Sequence, residues 1–300
     1  MTDEQPIYLD YAATTPVDDA VAAAMAGYLG RDGVYANASS LMHEPGRRAA
    51  AAVDAARSAL AGLLGAQPAE LVFTSGATEA DNLAILGAAR HFADRGRHLV
   101  TTRIEHKAVL DAARRLEREG FEVTWLEPDG EGRIDPAAVA AALRDDTLLT
   151  SVMWVNNETG VVNDVEAIGR ACRERGVLLH VDAAQAVGKL PVDLASLPVD
   201  FLALTAHKFY GPKGIGALYV ADRPGVQLQP LFYGGGQERG LRRCTRSSGW
   251  APPRRGRRRN WRRNAGGSRP CGSVSPPGSP PWRTSWSTAP GPSASRASST

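Results

Sequence analysis

The chain has 300 residues, of which 43% are hydrophobic, and a formal net charge of +3. This length is sufficient for one large domain with a sizeable buried core. No apolar stretch approaches the roughly 20 residues that a membrane-spanning helix needs, and the acidic start of the chain lacks the apolar region of a secretion signal. Cys172, Cys244 and Cys271 have neither metal-ligand spacing nor the pattern of a disulfide framework. We therefore expect a soluble, reduced, cytoplasmic protein without a metal site.

In chain order, the hydrophobic pattern predicts helices that alternate with strands through residue 240. The predicted helices are 49–64, 79–95, 107–119, 135–143 and 165–175. The predicted strands are 71–73, 98–101, 122–126, 148–155, 177–181, 200–204 and 215–220. Helices of this length between strands imply crossover connections. The pattern therefore predicts an α/β fold, a mainly parallel sheet sandwiched by helices.

Polar and ionisable residues follow several of the predicted strands. Within five positions of a strand end lie Ser75, His106, Asn157, Asp182 and Lys208. Ligands of open α/β sheets bind outside the carboxyl ends of the strands. The sequence therefore predicts one site at this edge of the sheet.

Lys208 is the most informative of these residues. It follows the apolar run 200–204 and precedes a glycine-rich segment. Burial of an ammonium is costly, and desolvation favours the neutral amine that can form a Schiff base. The alternative is a lysine whose charged end reaches solvent from the edge of the core. Asp182 ends a second apolar run and needs a cationic partner, for which the pyridinium nitrogen of pyridoxal phosphate is suited.

The segment 73–82 resembles a phosphate-binding turn. A predicted strand ends near Gly76 and a helix begins, so that free backbone N–H groups and hydroxyls meet at one point. Taken alone, the same segment is also consistent with an ordinary Ser/Thr helix cap.

With these residues in view, the chain closely resembles the cysteine desulfurases of the class V aminotransferase family, which are fold type I pyridoxal phosphate enzymes. The resemblance covers residues 6–242 and rests on six ordered motifs. They lie at 8–16, 73–82, 102–110, 155–160, 180–185 and 205–218, and a glycine-rich segment at 234–240 agrees with them. The Gly-Pro-Lys-Gly run at 211–214 is similar to the housekeeping and nitrogen-fixation branch of the family.

The resemblance implies a role for individual residues. Lys208 would hold pyridoxal 5′-phosphate covalently and later move protons, and Asp182 would keep the ring nitrogen protonated. Gln185 would bind the phenolic oxygen of the cofactor. His106 would stack on the ring and act as an acid or base, although a core histidine with both nitrogens satisfied is the alternative.

The remaining cofactor contacts implied by the resemblance involve the phosphate and the substrate. The phosphate would be bound by Ala77, Thr78, Thr205 and His207. Asn157 would lie between the cofactor and the substrate carboxylate, whereas an isolated asparagine in a loop more commonly serves as a turn or cap.

The implied reaction removes sulfur from L-cysteine and leaves L-alanine and a persulfide, which passes to an iron–sulfur scaffold or a tRNA thiolation partner. The family acts as a homodimer. No cysteine of the chain fits the position of the nucleophile: Cys172 is interpreted as a core residue, and Cys271 stands in the wrong context. We therefore expect impaired activity. One alternative is another class V enzyme, such as a selenocysteine lyase or an aminotransferase-like lyase. The alternative from a different class is a non-catalytic protein that binds nucleic acid through a basic tail.

The last sixty residues differ in composition from the rest. From Leu241 to Thr300 there is no Asp, Glu or Lys, but there are thirteen arginines. We divide the chain into an N-terminal segment 1–16, a cofactor-binding large domain 17–242 and a tail 243–300 that replaces the expected small domain. Three interpretations of the tail remain: a disordered appendage, the product of a shifted reading frame, and a basic segment that binds nucleic acid.

Overall fold

The computed structural model describes residues 7–234 and Glu238, and these residues form a seven-stranded sheet flanked by helices. The strands are β1 (Leu71–Thr74), β2 (His98–Thr102), β3 (Glu122–Leu126), β4 (Thr147–Met153), β5 (Leu178–Asp182), β6 (Phe201–Thr205) and β7 (Gly216–Val220). Their order in the sheet is β1-β7-β6-β5-β4-β2-β3. β7 runs antiparallel to both of its neighbours, and all other pairs along the sheet are parallel. The predicted mainly parallel α/β sheet is confirmed.

Six α-helices lie within the described residues. They are α1 (Asp19–Ala26), α2 (Glu44–Leu64), α3 (Ala77–His91), α4 (Lys107–Arg118), α5 (Pro136–Ala142) and α6 (Val165–Glu174). At the start of five of them a side chain accepts a hydrogen bond from a backbone N–H; the accepting residues are Asp18, His43, His106, Asp135 and Asp164. These caps satisfy donors that a first helical turn leaves unpaired.

The strands in the middle of the sheet are buried on both faces. Every residue of β2, β4, β5 and β6 is buried. Successive side chains of β5 alternate between the two faces, as the strand geometry requires. His180 lies against Asp81 of α3, whereas Leu179 lies against Gly169 of α6. The helices α3 and α6 therefore cover opposite faces of β5.

Two features of the chain differ from the sequence-based expectation. The helix α1 was not predicted, because none of its residues is buried and it has no apolar stripe that would reveal a helical period. The helix α2 begins at Glu44, five residues before the predicted start at Ala49. The sequence around its start, with Pro45 in the first turn, is compatible with this earlier beginning.

The N-terminal segment is attached to the turn that follows β6. The backbone N–H of Thr15 donates to the carbonyl of His207 at 2.8 Å, and that of Asp18 donates to the carbonyl of Tyr210 at 3.0 Å. In return, the N–H of Tyr210 donates to Thr15 Oγ1 at 2.8 Å. Tyr210 has a φ of 66°, an uncommon conformation for a non-glycine residue. These bonds fix the backbone on either side of Lys208.

All described residues belong to the first of two units into which the chain divides, Met1–Ser248. The domain boundaries proposed from the sequence stay predictions, and the tail 243–300 lies outside the described residues. No helix among the described residues has the length and apolar character needed to cross a bilayer.

Candidate active site

A cavity of about 670 Å³ lies at the carboxyl ends of the strands. Eight of the nine residues to which the resemblance gives a role line it: Ala77, Thr78, His106, Asn157, Asp182, Thr205, His207 and Lys208. They are separated by up to 131 positions in the chain and come from the ends of different strands. The parallel topology brings them together, because the carboxyl ends of parallel strands meet at one edge.

The amino terminus of α3 forms one wall of this cavity. Gly76 is the N-cap residue, and no side chain accepts a hydrogen bond at this cap. The nearby Glu79 carboxylate accepts from the N–H of Ser75 at 2.7 Å, outside the helix. The first N–H groups of α3, at Ala77 and Thr78, therefore border the cavity without a side-chain cap. A helix amino terminus in this state favours an anion such as phosphate, so the segment is not an ordinary Ser/Thr cap.

Close backbone packing fixes the position of this turn. A Cβ atom on Gly216, the first residue of β7, would lie 2.7 Å from the Cα of Gly76 and nearer still to the carbonyl oxygen of Leu204. Real Cβ atoms do not approach backbone so closely. The absence of a side chain at residue 216 therefore allows β7 to lie directly beneath the turn.

Asp182 is the last residue of β5 and lines the cavity. The residue is 4% exposed, and its Oδ1 accepts the N–H of Ala184 at 2.9 Å. Burial raises the pKa of the Asp182 carboxyl, whereas the hydrogen bond from Ala184 and the charge of Lys208 oppose this rise. A cation in the cavity would stabilise the ionised carboxylate.

Lys208 lies in a short 3₁₀ turn, Ala206–Lys208, that follows β6. It is half-buried and lines the same cavity as Asp182, and its charge acts on that carboxyl. This location differs from that of a lysine whose end merely reaches bulk solvent. The neighbouring His207 ring contacts Thr14 Oγ1 through Nδ1 at 3.1 Å, and burial lowers the pKa of His207.

His106 is both a cavity residue and the N-cap of α4. Its Nδ1 accepts the N–H of Ala108 at 3.2 Å, which leaves Nε2 to carry the proton of the neutral ring. The ring is half-buried and borders the cavity, unlike a fully enclosed core histidine. An imidazole N–H is thereby available at the site.

Of the two roles considered for Asn157 from the sequence, the turn-forming one is taken by its neighbour Asn156. Asn156 is buried, and its Oδ1 accepts the N–H groups of Glu158 and Thr159 at 3.0 and 2.9 Å, so it forms the turn. Asn157 lines the cavity, and its Nδ2 donates to Glu158 at 2.6 Å. The turn-forming role therefore belongs to Asn156.

Gln185 is the one predicted site residue that does not line the cavity. It is buried, its Nε2 donates to the carbonyl of Ala12 at 2.8 Å, and its Oε1 accepts from Lys189 at 2.6 Å. Gln185 thus connects the N-terminal segment to the loop after β5. Its predicted contact with a cofactor oxygen stays a prediction.

Several residues to which the sequence analysis gave no role belong to this region. Asp10, Thr14, Glu79 and Lys213 line the cavity. Asp81, Glu105 and His180 are buried beneath it. Two of them could have been noticed in the sequence: Asp81 lies on a helix among apolar residues, and His180 lies in the middle of an apolar strand. An ionisable group is rarely buried in such surroundings without a partner.

A second cavity of about 620 Å³ adjoins the first, and Ser75, Glu79 and Gly214 line both. Glu238 borders this second cavity and forms an ion pair with Arg57 of α2. The two Glu238 oxygens accept from Arg57 at 2.8 and 2.9 Å, and the N–H of Phe73 donates to Glu238 at 2.8 Å. Residue 238 is thereby fixed to the edge strand β1.

Comparison with known proteins supports a single family. The sequence profile of the Aminotransferase class-V family matches residues 7–266, farther than the motif resemblance, which ends at residue 242. Curated cysteine desulfurases IscS from Mannheimia succiniciproducens and Escherichia coli O139:H28 are 58% and 57% identical over 240 residues. The alignment includes 80% of this chain but 59% of each relative, so the chain spans about three fifths of their length.

Solved structures agree with the sequence matches. A NifS-like protein has a TM-score of 0.75 at 40% identity, with 79% of this chain and 64% of that chain covered. SspA in complex with cysteine has a TM-score of 0.75 at 44% identity, with 79% and 67% covered. DndA from Streptomyces lividans has a TM-score of 0.68 at 46% identity, with 80% and 67% covered.

The profile match, the relatives and the solved structures therefore agree with the geometry of the cavity. Enzymes of the class V aminotransferase family depend on pyridoxal 5′-phosphate. The chain belongs to the class V aminotransferase family.

Proposed function

We propose that this chain provides the cofactor site of a pyridoxal 5′-phosphate-dependent cysteine desulfurase, which converts L-cysteine to L-alanine and transfers the sulfur as a persulfide. The observation that carries the proposal is the convergence of three groups on one cavity. Asp182, Lys208 and the uncapped amino terminus of α3 all border it. The relatives named cysteine desulfurase supply the reaction class.

The chemistry of these groups fits the cofactor. Its phosphate is an anion, and the amino terminus of α3 offers unpaired N–H groups together with the hydroxyls of Thr78 and Thr205. Its protonated ring nitrogen is a cation, and Asp182 is a buried carboxyl facing the cavity. Its aldehyde requires a primary amine, which Lys208 provides. When bound, pyridoxal 5′-phosphate supplies an electron sink that lowers the barrier to breaking a bond at the substrate α-carbon.

The residues of the chain would divide the work around that group. Lys208 Nζ would take the proton from the substrate α-carbon and return a proton later, because the amine that holds the cofactor lies beside the atom where the bond is broken. Asp182 would maintain a negative charge opposite the ring nitrogen. His106 would donate or accept a proton at Nε2, since Nδ1 is engaged with the start of α4. Asn157 would orient the substrate carboxylate.

The nucleophile that receives the sulfur is not assigned to a described residue. Cys172 is the cysteine among residues 7–234 and 238, and it is 1% exposed within α6. Burial raises the pKa of its thiol to about 11, which disfavours the reactive thiolate. Cys244 and Cys271 lie outside the described residues. We therefore expect the 300-residue chain to bind the cofactor but to form little persulfide.

The covalent attachment can be tested directly. The full chain is incubated with pyridoxal 5′-phosphate, reduced with borohydride, digested and analysed by mass spectrometry. We expect the added mass on the peptide containing Lys208, and its loss in Lys208→Arg. Lys213→Arg is the matched control, because Lys213 is the other lysine lining the cavity within the described residues. Modification of Lys213 in place of Lys208 would refute the assignment.

The substrate is tested by incubating the loaded chain with L-cysteine or L-selenocysteine and measuring alanine and sulfide or selenide. Cysteine-dependent alanine formation above the Lys208→Arg background would support a desulfurase site. Alanine formed from selenocysteine alone would replace the proposal by a selenocysteine lyase. Abundant sulfide from cysteine would contradict the expected impairment.

The homodimer, the sulfur acceptor and the cytoplasmic location are further proposals. Large apolar side chains are exposed along the N-terminal part of the chain, among them Ile7, Leu9, Leu29 and Met42, each at least 79% exposed. An apolar surface of this kind is typical of a region covered by a partner, here a second copy. Sedimentation equilibrium of the full chain tests this, and a strictly monomeric mass at high concentration would contradict it.

An iron–sulfur scaffold or a tRNA thiolation protein would accept the persulfide.

A further inference from the structure

A group of buried polar side chains lies directly beneath Asp182 and has no part in the proposed reaction. Asp81 extends from α3, His180 from β5 and Ser151 from the adjacent position of β4, and all three are 0% exposed. Glu105, 5% exposed, follows β2. Burying two carboxyl groups and an imidazole in the same dry region is costly unless their protons are arranged to satisfy one another.

The contacts within this group form a line. Asp81 Oδ1 is 3.4 Å from His180 Nε2, and His180 Nδ1 is 2.8 Å from Ser151 Oγ. Neither oxygen of Asp81 nor the Nε2 of His180 has a hydrogen bond of good geometry among the described residues. A small rotation of the Asp81 carboxyl would satisfy both groups at once. The geometry therefore places one proton between Asp81 and His180.

The charges of the surrounding groups decide where this proton lies. Burial, followed by the negative charges of Asp182 and Glu105, raises the pKa of Asp81 well above its usual range, and Lys208 opposes this only in part. Burial lowers the pKa of His180 to about 3. The carboxylic acid with a neutral imidazole is therefore favoured over the carboxylate with an imidazolium.

Glu105 differs from Asp81 in its hydrogen bonds. Its Oε1 accepts from Thr102 Oγ1 at 2.7 Å and from the N–H of Met153 at 2.9 Å. Burial nevertheless raises the pKa of Glu105 to about 8. Asp182 lies outside this group; it borders the cavity and accepts a backbone N–H, so it is the carboxyl best placed to ionise.

We propose that Asp81 is a positioning residue that carries a proton and donates it to His180 Nε2, so that His180 donates through Nδ1 to Ser151. These hydrogen bonds between neutral groups fix the position of β5 next to its last residue, Asp182, which borders the cavity. It also removes a competing negative charge, because two neighbouring carboxyls in a dry site do not both ionise readily. The effect on Asp182 rests on the proposed function, whereas the proton on Asp81 does not.

Infrared spectroscopy of the full chain tests the proton directly. A protonated carboxyl has a C=O stretch that is distinct from that of a carboxylate and shifts in D₂O. At neutral pH we expect Asp81→Asn to remove one such band. Glu105→Gln is the matched control, because it removes a different buried carboxyl and should leave the Asp81 band in place. A spectrum of Asp81→Asn identical to the parent in this region would overturn the proposal.

The positioning effect is tested by cofactor binding. Asparagine at residue 81 is neutral and can still donate to His180 Nε2, so Asp81→Asn should change the dissociation constant of pyridoxal 5′-phosphate by less than about threefold. It should also leave the pH midpoint of the cofactor absorption band unchanged. Asp81→Leu removes the donor and should weaken binding by about tenfold or more. A midpoint shifted by about one unit or more in Asp81→Asn would show that Asp81 is ionised and refute the proposal.

The infrared test and the cofactor-binding test can fail independently of each other. If the parent chain binds no cofactor, the proposed function fails, and the infrared comparison of the cofactor-free proteins still decides whether Asp81 holds the proton. If Asp81→Leu does not fold, the comparison between the parent and Asp81→Asn retains both readouts.

Discussion

Removing the ion pair between Arg57 and Glu238 should detach residue 238 from the edge strand β1 and destabilise the sheet edge. β1 has β7 on one side and no strand on the other within the described residues. On its free side, the carbonyl of Leu71 accepts from Arg57 at 2.7 Å and the N–H of Phe73 donates to Glu238 at 2.8 Å. The pair therefore satisfies the polar groups that a neighbouring strand would otherwise pair.

The expected magnitude follows from burial and charge. The Arg57 side chain is 8% exposed and that of Glu238 is 22% exposed. Hydrogen bonds to charged groups contribute about 1.5–3 kcal/mol, and losing one partner of a fully buried ion pair costs about 3–5 kcal/mol. Because Glu238 keeps some contact with water, we expect Arg57→Met to lower the free energy of unfolding by about 3 kcal/mol. For a domain of this size, that corresponds to roughly 6–12 °C in Tm.

A double-mutant cycle isolates the pair. Urea unfolding is followed by circular dichroism for Arg57→Met, Glu238→Gln, the double variant and the parent chain. We expect a coupling free energy of about 1–2 kcal/mol. Arg103→Met is the control, because the Arg103–Glu127 pair is more than half exposed on both sides and should contribute less than about 0.5 kcal/mol. A coupling free energy between Arg57 and Glu238 below about 0.5 kcal/mol, the value expected for an exposed pair, would refute the reasoning.

Three further predictions concern other parts of the chain. Burial raises the pKa of the Cys172 thiol to about 11. In native protein at pH 8 a thiol-specific disulfide reagent should therefore leave Cys172 unmodified, whereas unfolding in urea should expose it. Rapid labelling at Cys172 without unfolding would contradict its burial. Burial lowers the pKa values of His98 and His180, so both bind protons more weakly when folded. The contribution of these two histidines to the free energy of unfolding should therefore be fully present above the unfolded histidine pKa of about 6.5 and should be lost as the pH drops below it, by at most about 1.4 kcal/mol per pH unit for each histidine. The raised pKa values of the buried Asp81 and Glu105 carboxyls act in the opposite direction. His98→Gln should reduce this slope in urea titrations at several pH values, and an unchanged slope would exclude His98 as a contributor. Gly216→Ala should lower Tm and weaken cofactor binding, because the added Cβ would lie 2.7 Å from the Cα of Gly76. Overpacking of this kind costs about 1–3 kcal/mol. A variant as stable as the parent would contradict the close packing of Gly216 against Gly76.

The sequence reveals part of the candidate site because ionisable residues follow apolar runs, where burial of their charge is costly. Asp182 and Lys208 each end an apolar run, and such positions require a partner of opposite charge or a chemical purpose. Both border the same cavity. Asp81 and His180 obey the same rule, but they lie within elements rather than after them, so the pattern offered no reason to connect them.

The direction of β7 shows a second limit. The hydrophobic run at 215–220 predicts a strand but not its orientation. Between β6 and β7 there are ten residues, Ala206 to Ile215, and a parallel crossover requires a dozen or more. Connection length therefore favours the antiparallel pairing that is observed. Gln185 illustrates a third limit, since its partner Ala12 lies in the N-terminal segment, 173 positions away in the chain.

The attachment of the N-terminal segment to the turn around Lys208 has a consequence for synthesis of the chain. Thr15 and His207, which share hydrogen bonds, are 192 positions apart in the sequence. At about 5–20 residues per second, a ribosome needs roughly 10–40 s to make the second partner after the first. During that interval Thr15 has no partner in the turn, so these hydrogen bonds cannot yet hold the N-terminal segment. The lysine turn is thus assembled among the last parts of the domain, so errors in its folding should depend on the speed of translation.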